Sequence, residues 1–333
     1  MFERVKSLDI DYVDILERLS GSVGIGLALL ALIIIFTIAT PQFASPSNLS
    51  SIFNQITINM VVALGMTFVM IAAGIDLSVG AQMAFTALVC GKILQSGILP
   101  PIPLLILALA VGLFNGVFWG FFNGLIIESW GISSFIVTLG MLSVIRGSGL
   151  VMSQAATIYN FPRAILSLAE VQFFGFIPLM LVVTLFLAGV SYFVINKTVF
   201  GRHVIATGDE REAARAAGIP TKKIRVAVFT ISGFMSAVGG IMLLSRLSIA
   251  QATLASGAEL RAIAAVIIGG TSLSGGKGSI LGTIFGATIL GVLDNGLVIL
   301  GLSDFVREIF TGGLIVLAVG LDALRRRLTE EAG

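Results

Sequence analysis

Charge is what this sequence has least of. Asp, Glu, Lys and Arg make up 11% of its 333 residues, where a soluble domain carries about 25%. A soluble chain of this length could bury a large core, but its surface would need more charge than is present. The deficit implies a surface that faces lipid. The single cysteine, Cys90, excludes an internal disulfide framework and reads as a small packing residue in an apolar stretch. The single histidine, His203, has no cysteine partner and no acid triad nearby, so it reads as an exposed loop residue. Neither an HExxH motif nor a Ser–His–Asp set is available. The chain is therefore expected to be no enzyme and to carry no metal or cofactor. A net charge of +2 leaves no large basic face for nucleic acid.

Apolar residues fill the gap. They make up 56% of the chain, and the mean hydropathy is +1.05. Runs near the ~20 residues needed to cross a bilayer occur at 22–40, 56–74, 78–96, 103–123, 133–152, 173–195, 225–245, 258–271, 279–300 and 306–323. The eighth is short. The fold class expected is an all-α integral membrane protein of about ten transmembrane helices. The 39 glycines allow close helix packing, and with eight prolines they suit kinked and broken helices. The first run, Gly21 to Thr40, follows a charged segment as a signal peptide would. It is too long for a typical h-region and ends in no small-x-small site, so it is read as a retained helix.

Basic residues set the expected orientation. Arg4, Lys6 and Arg18 precede the first run. Lys197, Arg202, Arg211, Arg215, Lys222, Lys223 and Arg225 lie between the sixth and seventh, and Arg325, Arg326 and Arg327 end the chain. An even number of helices puts all three clusters on the cytoplasmic side. The loop Pro41–Gln55 has no Lys or Arg and is expected outside. The organisation read from this is a cytoplasmic segment at 1–20, one transmembrane domain at 21–324 with a cytoplasmic loop at 196–224, and a cytoplasmic tail at 325–333. Gly74-Ile-Asp-Leu-Ser-Val-Gly80 is echoed 196 residues later by Gly270-Thr-Ser-Leu-Ser-Gly-Gly276. Five helices separate the copies, so the halves would form an inverted repeat with solute handled near their interface.

The cytoplasmic loop contains a helix-forming run from Asp209 to Ala217. Acids stand at its start, and Gly218 and Pro220 stop it. It reads either as a solvated connector or as a helix that docks on a soluble partner. Asp76 lies between two apolar runs with no basic residue near it. An ionised group at membrane depth costs ~2.5–3.5 kcal/mol or more, so Asp76 either caps the next helix, lines the solute path, or does both. Asn115, Asn123, Asp294 and Asn295 sit in apolar runs, where they either bond between helices or line a polar path. Arg146 either snorkels or pairs with an acid. Leu273-Ser-Gly-Gly-Lys-Gly278 imitates a nucleotide loop, but a true P-loop needs Gly at 271 and Ser or Thr at 278, where this chain has Thr271 and Gly278.

Glu212-Ala213-Ala214, three residues and Gly218 match the EAA-x3-G loop of bacterial ABC importer permeases. From about residue 40 onward the chain resembles the sugar-permease family that includes ribose, xylose and arabinose importers. The resemblance rests on Ala73–Gly80, on Phe135-Ile-Val-Thr-Leu-Gly140 and on Ala264-Ala-Val-Ile-Ile-Gly-Gly-Thr-Ser-Leu273. The Ile-x-Leu-Pro ending of the fuller EAA pattern is absent after Gly218, and Arg261 stands where members often carry an acid. The resemblance implies a non-catalytic subunit in the bacterial cytoplasmic membrane that moves a ribose-like monosaccharide by alternating access. Implied partners are ATPase subunits, an extracytoplasmic sugar-binding protein meeting loops 41–55, 153–172 and 246–258, and a second permease copy. Asp209, Glu210, Glu212, Ala213, Ala214 and Gly218 would couple to the ATPase. Gly74, Asp76, Leu77, Ser78, Gly80, Gly270, Ser272, Ser274, Gly276, Asn115, Asn123 and Asn295 are expected along the path or gate. The rival reading is a secondary transporter driven by an ion gradient.

Overall fold

The computed structural model describes residues 22–173, 177–303, 305–313, 316–317 and 320. The basic clusters at Arg4–Arg18 and Arg325–Arg327, the segments 1–20 and 325–333, and part of the run 306–323 lie outside the described residues. The helices are α1 (Ser22–Ala39), α2 (Pro46–Ile71), α3 (Val79–Ser96), α4 (Pro101–Trp130), α5 (Ser134–Ser153), α6 (Arg163–Glu170), α7 (Leu179–Lys197), α8 (Val199–Asp209), α9 (Arg211–Ala216), α10 (Thr221–Leu247), α11 (Ala258–Ile268) and α12 (Ile280–Ile299). Residues 305–313 are also helical. A short hairpin, β1 (Gln172–Phe173) with β2 (Ile177–Pro178), precedes α7. Among the described residues, α2, α4, α5, α7, α10 and α12 are long and apolar enough to cross a membrane.

Helix α2 is the centre. From Met60 to Ile71 every side of it is buried, as expected of a helix that is apolar all round. Helix α10 packs on α2, α3 and most extensively on α4. The α4–α10 contact is a glycine seam, Gly116, Gly120 and Gly124, with one glycine per turn on a single face, while Gly112, one turn earlier, abuts Cys90 and Thr86 of α3. A Cβ at Gly116 would lie 2.3 Å from the Gly233 carbonyl oxygen, and one at Gly120 2.3 Å from that of Phe229. The two backbones touch, which is how helices associate where lipid supplies no hydrophobic drive. The opposite face of α4 exposes Phe114, Phe118, Phe121 and Phe122. Helices α5 and α7 are likewise exposed over most of their apolar length.

Several sequence expectations change. The loop expected at Pro41–Gln55 is short: a 3-10 turn spans Pro41–Ala44, and α2 starts at Pro46 with Ser45 accepting the Asn48 backbone N–H. Proline is tolerated at a first helical position. The loop at 196–224 is mostly helix, and His203 lies half-buried within α8. Helix α11, with 11 residues, is about 16 Å long, roughly half the ~30 Å hydrocarbon thickness. It is a half-helix reached through the turns at 248–257. That stretch is held by a bridge in which Ile158 and Ala250 exchange backbone hydrogen bonds of 2.9 and 2.8 Å.

Candidate functional site

The break between α2 and α3 is built from its caps outward. Helix α2 ends with the Ala73 N–H on the Met70 carbonyl and the Gly74 N–H on that of Val69. This double closure places Ala73 at φ 54°, a left-handed position usually given to glycine. The chain beyond must satisfy its own N–H groups, and α5 supplies the acceptors. The Ile75 N–H donates to Ser134 Oγ at 3.1 Å, and the Leu77 N–H donates to Thr138 Oγ1 at 3.0 Å.

Asp76 is completely buried in this break. Its Oδ1 accepts from the backbone N–H of Ser78 (3.0 Å) and from Ser78 Oγ (2.6 Å), and its Oδ2 accepts from Ser232 Oγ of α10 (3.0 Å). Ser78 Oγ in turn accepts from Gln82 Nε2 and Asn123 Nδ2, both at 2.8 Å. Three donors rather than a cation hold the carboxylate, and the Ser78 N–H bond closes a local turn just before α3, whose N-cap, Ser78, makes no side-chain cap bond. One buried network thus joins the break to α3, α4 and α10. It retains two acceptor oxygens without a protein donor, Gln82 Oε1 and Asn123 Oδ1. Ser232 stands 11 residues into α10, about 16 Å along its axis.

The second glycine-rich segment lies between α11 and α12. It opens with the same pair of cap bonds: the Gly270 N–H to the Ile267 carbonyl, and the Thr271 N–H to that of Val266. In this geometry Gly270 corresponds to Ala73, one residue out of the register that the sequence echo suggests. Gly275 and Gly276, both at positive φ, serve close approach. The Gly276 N–H bonds the Ile71 carbonyl at 2.9 Å. A Cβ on Gly275 would lie 2.6 Å from the Gly208 oxygen and 2.7 Å from Ala73 Cβ, and one on Gly276 2.7 Å from Asp209 Oδ1. This segment therefore joins the end of α2 to the end of α8. Ser272 Oγ accepts the Ser274 N–H within it.

The helix expected from Asp209 to Ala217 begins two residues later than its sequence suggests. Asp209 ends α8, and Glu210 is extended at the boundary. Only Glu212 lies in the first turn of α9. The helix closes with the Gly218 N–H on Arg215 O and the Ile219 N–H on Ala214 O, with Gly218 at φ 83°. Ala214 faces inward, while Glu212 and Ala213 are exposed beside an open groove of about 300 Å³ that also involves Pro220 and Lys223. Beneath α9, Glu128 of α4 is buried and pairs with two guanidinium groups, those of Arg211 and Arg225 (2.9 Å).

Other polar residues sort differently. Asn115 donates to Thr86 of α3 at 2.9 Å. Asn295 is far from both breaks in its contacts, because it exchanges paired amide hydrogen bonds of 2.9 and 3.0 Å with Asn48. Asp294 accepts from Gln55 and pairs with Arg307 at 2.9 Å. Asp294 and Gln55 line an open pocket of about 140 Å³ with Asn59, Arg246 and Arg261. Arg146 forms no ion pair among the described residues. Sequence reasoning missed Gln82, Ser232, Glu128, Glu259 and the pocket. Glu128 carried the same signal as Asp76, a lone acid closing an apolar run. Gln82 stands one turn beyond Ser78. Glu259, whose Oε2 is buried without a hydrogen-bond partner, abuts Gly80. Its contact and that of Ser232 arise only in the tertiary fold.

A family model described as "Branched-chain amino acid transport system / permease component" matches residues 48–319. The ribose import permease protein of Bacillus subtilis is 38% identical over 302 residues, covering 89% of this chain and 91% of that protein. The ribose import permease protein of Escherichia coli K12 is 36% identical, covering 89% and 92%. The D-allose transport system permease protein of the same organism is 35% identical, covering 89% and 90%. No solved structure matches the chain significantly.

Proposed function

This chain belongs to the family of branched-chain amino acid transport system permease components, and from that premise we propose that it is the membrane-spanning subunit of an ATP-driven importer of a monosaccharide. The observation that carries this reading is the likeness to ribose and allose permeases over nine-tenths of the chain. The reading places the protein in the bacterial cytoplasmic membrane with about ten spans, both termini inside and two inverted halves. The segments 1–20 and 325–333 flank one transmembrane domain. Its partners are ATPase subunits, an extracytoplasmic sugar-binding protein and a second permease copy, and ATP hydrolysis belongs to the ATPase.

The contacts support alternating access as the mechanism. Helix α9, with Glu212, Ala213 and Ala214, docks the ATPase. Asp209 and Gly208 touch Gly275 and Gly276, which touch the end of α2. ATP binding that shifts α8 and α9 thereby shifts both breaks, and the Asp76 network re-forms around the new position. A two-state element of this kind is what a nucleotide must bias. The unpaired acceptors Gln82 Oε1 and Asn123 Oδ1 suit a solute rich in hydroxyl donors.

Gentle purification of the tagged chain from its native membranes tests the reading. A stoichiometric ATPase subunit, with ATP-dependent ribose uptake after reconstitution, is the expected result. A chain that purifies alone and takes up solute on an ion gradient would overturn it.

A further inference from the structure

We propose that Glu128 is the hub of a clamp that makes α4 and α10 follow the cytoplasmic helix, so that it is a positioning residue for transport rather than a support for its own helix. The inference rests on the reading of α9 as an ATPase dock. Three elements meet at this carboxylate: α4 through Glu128, α9 through Arg211 and α10 through Arg225. The Glu128 side chain is 4% exposed, that of Arg225 12% and that of Arg211 39%.

Two of the three members, Glu128 and Arg211, stand at the wrong end of their helices. Glu128 is in the last turn of α4, where the helix dipole disfavours an acid. Arg211 is the first residue of α9, where the dipole disfavours a cation, and Arg225 lies just beyond the first turn of α10, where the dipole gives it no support. None of the three helices gains from its own charge. What the charges achieve is the tie between helices.

The tie leads directly to the buried network. Asn123 lies five residues before Glu128 on α4, and Ser232 lies seven residues after Arg225 on α10. Those two side chains hold Ser78 and Asp76. The glycine seam makes α4 and α10 one body. A displacement of α9 therefore reaches the break through two packed helices rather than through a flexible loop. Coupling between the two ends is read as solute moved per ATP.

The experiment uses the whole complex in vesicles, with ribose as the solute and ATP hydrolysis measured in the same preparation. Glu128 is buried and cannot touch the ATPase, so Glu128→Gln probes the clamp and not the dock. Since this variant leaves Arg225 buried and uncompensated, Glu128→Gln with Arg225→Met is made beside it. The double variant removes the lone charge but leaves Arg211 without its anchor. Both variants are expected to retain the ATPase and to hydrolyse ATP, with ribose moved per ATP falling about tenfold, within the range typical of allosteric coupling. Glu128→Asp, which keeps the charge, is expected to recover most of it. A merely structural role predicts that the double variant recovers transport; ribose per ATP within about twofold of wild type would overturn the clamp. If the wild-type complex itself shows no ATP-dependent uptake, the dock reading fails and the clamp fails with it.

Discussion

Asp76 accepts three buried hydrogen bonds, and these surroundings define what replacing it must do. Asp76→Ala removes the acceptor for one backbone N–H and two hydroxyls, all buried. Leaving such donors unpaired costs ~1–3 kcal/mol, enough to change the geometry of the break. Ribose uptake by Asp76→Ala, normalised to membrane level, is expected to fall at least about tenfold, the equivalent of ~1.4 kcal/mol. Ser232→Ala removes one donor and leaves both Ser78 bonds to Asp76 in place, so a smaller loss is expected. Asn295 is the contrasting case. Sequence leaves it as either a bond between helices or a path residue, and its paired amide bonds to Asn48 tie α2 to α12. Asn295→Ala is expected to lower the melting temperature in detergent while uptake per folded molecule is retained. Loss of uptake at normal stability would return Asn295 to the path.

At the level of elements, two glycines carry separable predictions. Gly120 faces the Phe229 carbonyl with no room for a Cβ, so Gly120→Val must push α4 off α10. Overpacking typically costs ~1–3 kcal/mol, and across a backbone contact the upper end is expected, seen as loss of folded protein by size-exclusion profile. Gly218 is surrounded by open space, so its constraint is the left-handed φ of 83° alone. Gly218→Ala is expected to destabilise the end of α9 by ~1–2 kcal/mol and to weaken ATPase retention on purification, with Gly218→Asn milder. Equal retention by all three proteins would mean that the cap does not shape the dock. Both glycines show what a single sequence reveals. The turn before Pro220 was legible because local rules fix a helix end. The one-per-turn spacing of Gly112, Gly116, Gly120 and Gly124 was visible, but not which helices it would meet. The acids at Asp209 and Glu210 misled for a related reason: composition favoured one helix, while α8 ends at Asp209 and the extended Glu210 starts another.

Across the whole molecule, the distribution of exposed residues separates two kinds of surface. Helices α4, α5 and α7 expose Phe114, Phe118, Ile136 and Phe186, a surface suited to lipid. The pocket between α2, α10, α11 and α12 instead gathers Gln55, Asn59, Arg246, Arg261 and Asp294, and both arginines are exposed. Cations at membrane depth face water or protein, so under the proposed function this side of the bundle is assigned to the solute path or to the second permease copy. Hydropathy made the ten apolar runs legible but was blind to this division, since it averages the faces of each helix. The one native cysteine makes the division measurable. Cys90 is fully buried, so the wild-type chain should react little with a membrane-impermeant maleimide. Arg261→Cys is expected to label in intact membranes, and Phe118→Cys to stay unlabelled. A binding protein loaded with ribose, added with ATP, should change the Arg261→Cys rate severalfold if this face opens and closes during transport. Labelling at position 118 with none at 261 would exchange the two surfaces, placing lipid where the path is proposed.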